Sequence, residues 1–165
     1  QQLTLNSCTN MSMDLAKLLG EKRIISEMRS SSNQEAIKEL INHLCENNFL
    51  PLEKKSETIR DLIIREDKTT TGIGSGVAIP HVNSDAVDST LMIFGRSLEG
   101  IDFESIDNNP VNFVVLFLIP KCNDNKHLQT LATIARFFTK GDIRERLLNA
   151  TSNTDILKVI ETHNN

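Results

Sequence analysis

The stretch VNFVVLFLI, residues 111–119, holds a single polar residue, Asn112. A half-buried strand alternates apolar and polar side chains, so a run without alternation reads as a strand covered on both faces. Its Val, Leu and Phe content suits a pleated surface. Upstream, TLMIFGRS at residues 90–97 reads as a second strand, and Asp107-Asn108-Asn109-Pro110 between the two reads as a turn. Downstream, Leu128, Leu131, Ile134, Ala135 and Phe138 fall on one side of a helix over residues 127–138. Gly141-Asp142 separates it from a helix over 143–148, and Thr154 is positioned to cap a last helix over 155–161. Toward the N-terminus, residues 14–19 read as a short helix ending at Gly20, and Ile24-Ile25 as the start of a short strand. Ser32 reads as an N-cap, with Glu35 completing a capping box. Behind it, Ala36, Ile37, Leu40, Ile41 and Leu44 form one helix face, and Pro51 opens a helix whose Ile59, Leu62 and Ile63 face inward. The expected fold is a single α/β domain with helices flanking a small sheet, over residues 14–162, between a loose lead-in at 1–13 and a polar tail at 163–165.

Composition narrows the function classes. The 165 residues carry 18 Lys+Arg against 22 Asp+Glu, a net charge of −4 with the four His neutral. That acidity argues against nucleic acid as a partner. The longest apolar run, residues 113–119, is far short of the roughly 20 residues of a membrane span, so direct membrane insertion is not expected. No basic region followed by an apolar run opens the chain. Cys8, Cys45 and Cys122 are an odd number without a CxxC pair, which fits free thiols in a reducing, cytoplasmic setting. His43 and Cys45 stand two apart on a helix and point to different faces, so they make no metal pair. Cys122, in the polar loop 121–126, and His163, in the tail, carry no motif. With no Trp or Tyr, stacking platforms for sugars or bases are missing, and the seven Phe read as core.

One segment does not fit a purely structural reading: TTTGIGSGVAIPH, residues 69–81. Three familiar motifs fail on it. A dinucleotide fingerprint needs Gly where Val77 stands, a nucleophile elbow needs Gly where Ile73 stands, and a P-loop needs a Lys followed by Ser or Thr. What remains is a glycine-rich loop running into a short apolar strand, Val77-Ala78-Ile79, that stops at Pro80-His81. Glycines let backbone N–H groups approach an anion closely. Pro80 fixes its own φ and biases Ile79 toward extended geometry, so the His81 imidazole is expected to project from a stiff strand end. A histidine held that way can attack phosphorus as a neutral nucleophile if an acceptor orients its other nitrogen.

The segment 70–81 resembles the active-site signature of enzyme IIA of the fructose/mannitol class of the bacterial phosphotransferase system. Arg65-Glu66 upstream, residues 101–111 before the core strand, and His127-Leu128-Gln129-Thr130-Leu131 match further stretches of that family, so the resemblance covers about residues 15–162. It implies a mixed β-sheet flanked by helices and phosphoryl transfer without metal or organic cofactor. His81 would be the phosphorylated residue. His127 would assist by hydrogen bonding, and Arg65 would bind phosphoryl oxygens. Thr71, Gly72, Gly74, Ser75 and Gly76 would form the phosphate-binding loop. Glu66 reads either as a holder of Arg65 or as a plain solvated carboxylate. Val82 departs from the small residue usual after the active histidine, and is expected to narrow the partner's approach.

The resemblance implies an HPr-type phosphocarrier as donor, and either a IIB transporter component or a regulated protein as the next partner. A free-standing chain and the stretch 103–110 look most like the nitrogen-type regulatory IIA. A sugar-specific fructose or mannitol IIA is the second reading, and a binding module that is never phosphorylated is the third.

Overall fold

The computed structural model describes residues 15–121 and 127–163. In chain order the elements are α1 (Leu15–Leu19), β1 (Ile24–Ile25), α2 (Asn33–Glu46), α3 (Lys55–Lys68), β2 (Gly72–Gly74), β3 (Val77–Ala78), β4 (His81–Ser84), β5 (Leu91–Ile101), β6 (Val111–Pro120), α4 (His127–Phe138), α5 (Gly141–Asn149) and α6 (Asn153–His163).

The run 111–119 becomes β6, the centre of a six-stranded mixed sheet. β5 pairs with it antiparallel on one side, and β3 and β4 pair with it parallel on the other. β1 lies parallel to β5 at one edge, and β2 lies antiparallel to β3 at the other. Alternation along β6 divides the core. Phe113, Val115, Phe117 and Ile119 face α1, α4, α5 and α6, whereas Val114, Leu116 and Leu118 face α2 and α3. Burial of each such side chain contributes about 1.5–3 kcal/mol, so a strand packed on both faces anchors both layers.

The helix boundaries follow their caps. Ser32 Oγ accepts the Glu35 amide at 3.3 Å, while the Glu35 carboxylate reaches back one residue further, to Ser31 N at 3.0 Å. Hydrogen bonds from Ser31 N and Ser31 Oγ hold the Glu35 carboxyl below its ordinary range. At α6 the cap is Ser152 rather than the expected Thr154, because Ser152 Oγ accepts the Asp155 amide at 3.1 Å and α6 starts at Asn153. Within β5, Arg96 is 3% exposed, and its guanidinium donates to Ser26 O, Leu147 O and Ala150 O. A cation at the C-terminal carbonyls of α5 also meets the negative end of that helix dipole.

The expected strand end at His81 is instead an interruption. Ala78 pairs with Val114 and His81 with Phe117, so β3 and β4 run along β6 in one continuous register. Pro80 sits at the break because it has no N–H to donate to a ladder, while its carbonyl accepts Phe117 N at 3.0 Å. His81 therefore opens β4 rather than closing a strand.

Candidate functional site

Positions 77, 79 and 81 fall on one face of the sheet, the face packed by α4. There His81 is half-buried, its ring stacked on Phe117 with centroids 5.4 Å apart and planes at 14°. Nδ1 lies 2.8 Å from Ile79 O. A carbonyl oxygen only accepts, so Nδ1 carries the proton, and the neutral ring holds its lone pair on Nε2.

The imidazole opens onto a cleft of about 300 Å³ lined by Arg65, Thr70, Thr71, Ile73, Ile79, Leu131, Ala132 and Ala135. Arg65 stands in the last turn of α3, and its Nη1 donates to Thr69 O at 3.0 Å. Apolar walls lower the local dielectric, which strengthens the pull of this guanidinium on an anion in the cleft. His127 opens α4, one helical turn before Leu131; its imidazole lies outside the described structure.

The remaining expected loop residues lie elsewhere. Only Thr71 of that group lines the cleft. Gly72 and Gly74 bound β2, and Gly74, Ser75 and Gly76 turn the chain into β3 with φ of 96°, 58° and 76°. Two of their amides are occupied: Ser75 N donates to Asp107 Oδ2 at 3.0 Å and Gly72 N to Thr70 Oγ1 at 3.0 Å. A Cβ on Gly72 would lie 2.4 Å from Ser105 Oγ and 2.9 Å from Ser105 Cα. Close packing and turn geometry explain these glycines.

Glu66 does not act as expected either. It is 5% exposed, and its carboxylate accepts Thr71 N at 2.8 Å and Thr71 Oγ1 at 2.7 Å. Burial pushes its carboxyl above the ordinary range, against the opposing pull of the Thr71 hydrogen bonds. The sequence alone reads Glu66 as a solvated carboxylate or a holder of Arg65. Its spacing carried the missing signal, since Thr58, Leu62 and Glu66 recur every four residues and all three are buried. Val82 is the last difference. Strand alternation sends it to the opposite face from His81, where it packs with the α2–α3 core, so it does not narrow the approach to the imidazole.

His43 Nε2 lies 2.8 Å from Lys22 O, and Cys45 packs against the same α2–α3 core. Cys8 and Cys122 lie outside the described residues. Among the described residues no cluster of His, Cys, Asp or Glu could hold a metal ion, and no helix is long and apolar enough to cross a membrane.

Fold and cleft together define a mixed α/β domain that presents one oriented histidine beside an arginine. The sequence profile of the phosphoenolpyruvate-dependent sugar phosphotransferase system, EIIA 2, matches residues 17–163, and the chain belongs to this family. It is 39% identical over 99 residues to the PTS system fructose-specific EIIA component of Haloferax volcanii, covering 60% of this chain and 64% of that protein. It is 33% identical over 135 residues to the nitrogen regulatory protein of Bradyrhizobium diazoefficiens, covering 82% of this chain and 86% of that one. The crystal structure of nitrogen regulatory protein IIA-Ntr from Neisseria meningitidis superposes with a TM-score of 0.78 at 27% identity, covering 88% of this chain and 97% of that one. The chain thus spans just under two thirds of the Haloferax relative's length.

Proposed function

We propose that His81 accepts a phosphoryl group from a phosphorylated HPr-type carrier and either passes it on or holds it as a signal. The observation that carries this reading is the Nδ1 contact with Ile79 O inside the Arg65 cleft. With Nδ1 protonated, the Nε2 lone pair attacks phosphorus. A new P–N bond forms as the donor's P–N bond breaks, and that electron pair returns to the donor imidazole. No proton need leave His81, because Nδ1–H stays on Ile79 O. Arg65 stabilises charge on the phosphoryl oxygens, and His127 supplies a further hydrogen bond from the start of α4. The rest of the rate comes from in-line positioning. Of the expected loop, Thr71 borders the phosphoryl group, and Gly72, Gly74, Ser75 and Gly76 serve the turn. The step needs no metal or organic cofactor.

The nitrogen-type regulatory role is supported by a relative of that name matching over 82% of this chain. The sugar-specific role is supported by the higher identity, 39%, to a fructose-specific component over a shorter stretch. Discharge of the phosphorylated protein onto a IIB component separates them: rapid loss of the label favours the sugar-specific role.

Incubation with phosphoenolpyruvate, enzyme I and an HPr-type carrier should raise the intact mass by one phosphoryl group, and His81→Ala should show no gain. The label should be lost in acid, as expected of a phosphoramidate. An acid-stable label on Ser75 or Thr71 would overturn the assignment.

A further inference from the structure

Thr71 and Ile79 stand opposite each other on the β2–β3 ribbon, one step beyond the registered pair Gly72 and Ala78. Two residues paired this way in an antiparallel ladder normally exchange both backbone hydrogen bonds. Here one is made: Ile79 N donates to Thr71 O at 3.1 Å. The reciprocal donor is diverted, because Thr71 N donates to Glu66 Oε1 at 2.8 Å. Ile79 O instead accepts His81 Nδ1–H, also at 2.8 Å.

We infer that Glu66 is a positioning residue for the phosphoryl acceptor. By taking the Thr71 amide it ends the ladder one bond early and leaves Ile79 O to hold His81 Nδ1–H. This rests on the reading of His81 as the acceptor. Glu66 is suited to the role because each of its oxygens binds Thr71, Oε1 through the amide and Oε2 through Oγ1 at 2.7 Å, with Thr70 Oγ1 a longer donor to Oε1 at 3.4 Å. It is buried, so water does not compete for those donors. Without the carboxylate, the Thr71 N–H must find another acceptor, since buried amides are rarely left unpaired. The nearest in register is Ile79 O. Competition for that carbonyl weakens the hold on Nδ1–H and admits the Nε2–H tautomer, whose Nε2 has no lone pair for phosphorus.

The test compares three full-length proteins. Glu66→Met keeps bulk and removes the acceptor. Glu66→Gln keeps both contacts, its carbonyl accepting Thr71 N–H and its NH2 donating to Thr71 Oγ1. Nitrogen-15 shifts of His81 report the neutral tautomer, and uptake kinetics with an HPr-type carrier report kcat and KM separately. Wild type and Glu66→Gln should hold a single Nδ1–H tautomer with equal rates. Glu66→Met should contain both tautomers and lose about tenfold or more in kcat, with KM for the carrier unchanged. A folded Glu66→Met with the wild-type tautomer and rate would overturn the inference. So would a Glu66→Gln as impaired as Glu66→Met, because charge rather than hydrogen bonding would then matter. A mixed tautomer in the wild type would also overturn it. If Glu66→Met does not fold, Glu66→Asp, which keeps the charge but shortens the reach, takes its place, with the same outcomes deciding. Should the wild type take up no phosphoryl group, the acceptor reading falls, while the tautomer comparison still decides what Glu66 holds.

Discussion

At one end of the β2–β3 ribbon the Gly74-Ser75-Gly76 turn is closed by its neighbours; at the other, about 13 Å along the strand, the chain opens onto the His81 cleft. The closed end spends the Ser75 amide on Asp107, and between the two ends Gly72 gives its amide to Thr70 and packs on Ser105. At the open end a backbone carbonyl, Ile79 O, is left for the His81 imidazole. Glycine richness and reactivity are adjacent in sequence but occupy different ends of one ribbon. Gly72 brings the ribbon close against Ser105, and its carbonyl accepts Ile106 N at 3.1 Å.

If the two ends have separate duties, substitutions should divide between stability and transfer. The largest stability effect belongs to Gly72, on the packed stretch of β2 between the two ends. Gly72→Ala drives a Cβ into the Ser105 backbone, which should cost about 2–3 kcal/mol in chemical denaturation; the fraction that remains folded should still take up phosphate at the wild-type rate. At the open end, Arg65→Ala and His127→Ala should each slow uptake by about ten- to a hundredfold, the loss of one hydrogen bond to a charged group, and leave the melting temperature unchanged. Equal losses of stability and rate in all three would break the distinction.

A smaller effect follows from the buried carboxyl. Burial holds Glu66 above its ordinary range in the folded chain, whereas the unfolded chain titrates near about 4.3. The protonated form is favoured by folding, so this contribution is full below about pH 4.3 and is lost as pH rises through the folded value. Glu66→Gln cannot ionise. Its stability relative to wild type should therefore be greater at pH 7 than at pH 4 in parallel urea titrations. The smallest effect is at the turn. Ser75 holds a left-handed φ of 58°, and Ser75→Gly should change stability by under about 1 kcal/mol, relief of strain being offset by added freedom in the unfolded chain.

Much of this molecule was legible in its sequence, for reasons that are local. The unalternating run 111–119 could only be a strand with two covered faces, and the Ala36–Leu44 stripe could only be a helix lying on it. Ile79-Pro80-His81 declared a stiffened histidine because proline acts on its own neighbours. The features that escaped depend on segments far apart in the chain. Whether Glu66 is solvated or buried is decided by how residues 70–71 fold back over α3, and whether Gly72 faces an anion or Ser105 is decided by the path of residues 103–106. Val82 was misplaced because β4 continues past Pro80, so that alternation, not proximity, sets its face.

The unbroken register of β3 and β4 on β6 decides how the surroundings of His81 are assembled. His81 lies against Phe117 of β6, beside Arg65 of α3 and beneath Leu131 and Ala135 of α4. None of these neighbours is near it in the chain, and non-local parallel pairing of the kind that sets His81 on β6 is intrinsically slow to form. A nascent or partly unfolded copy therefore holds every residue of the site but no site. On the reading of His81 as the phosphoryl acceptor, a copy must close its sheet before it can be charged, so uptake of label should be lost when the chain is unfolded beforehand.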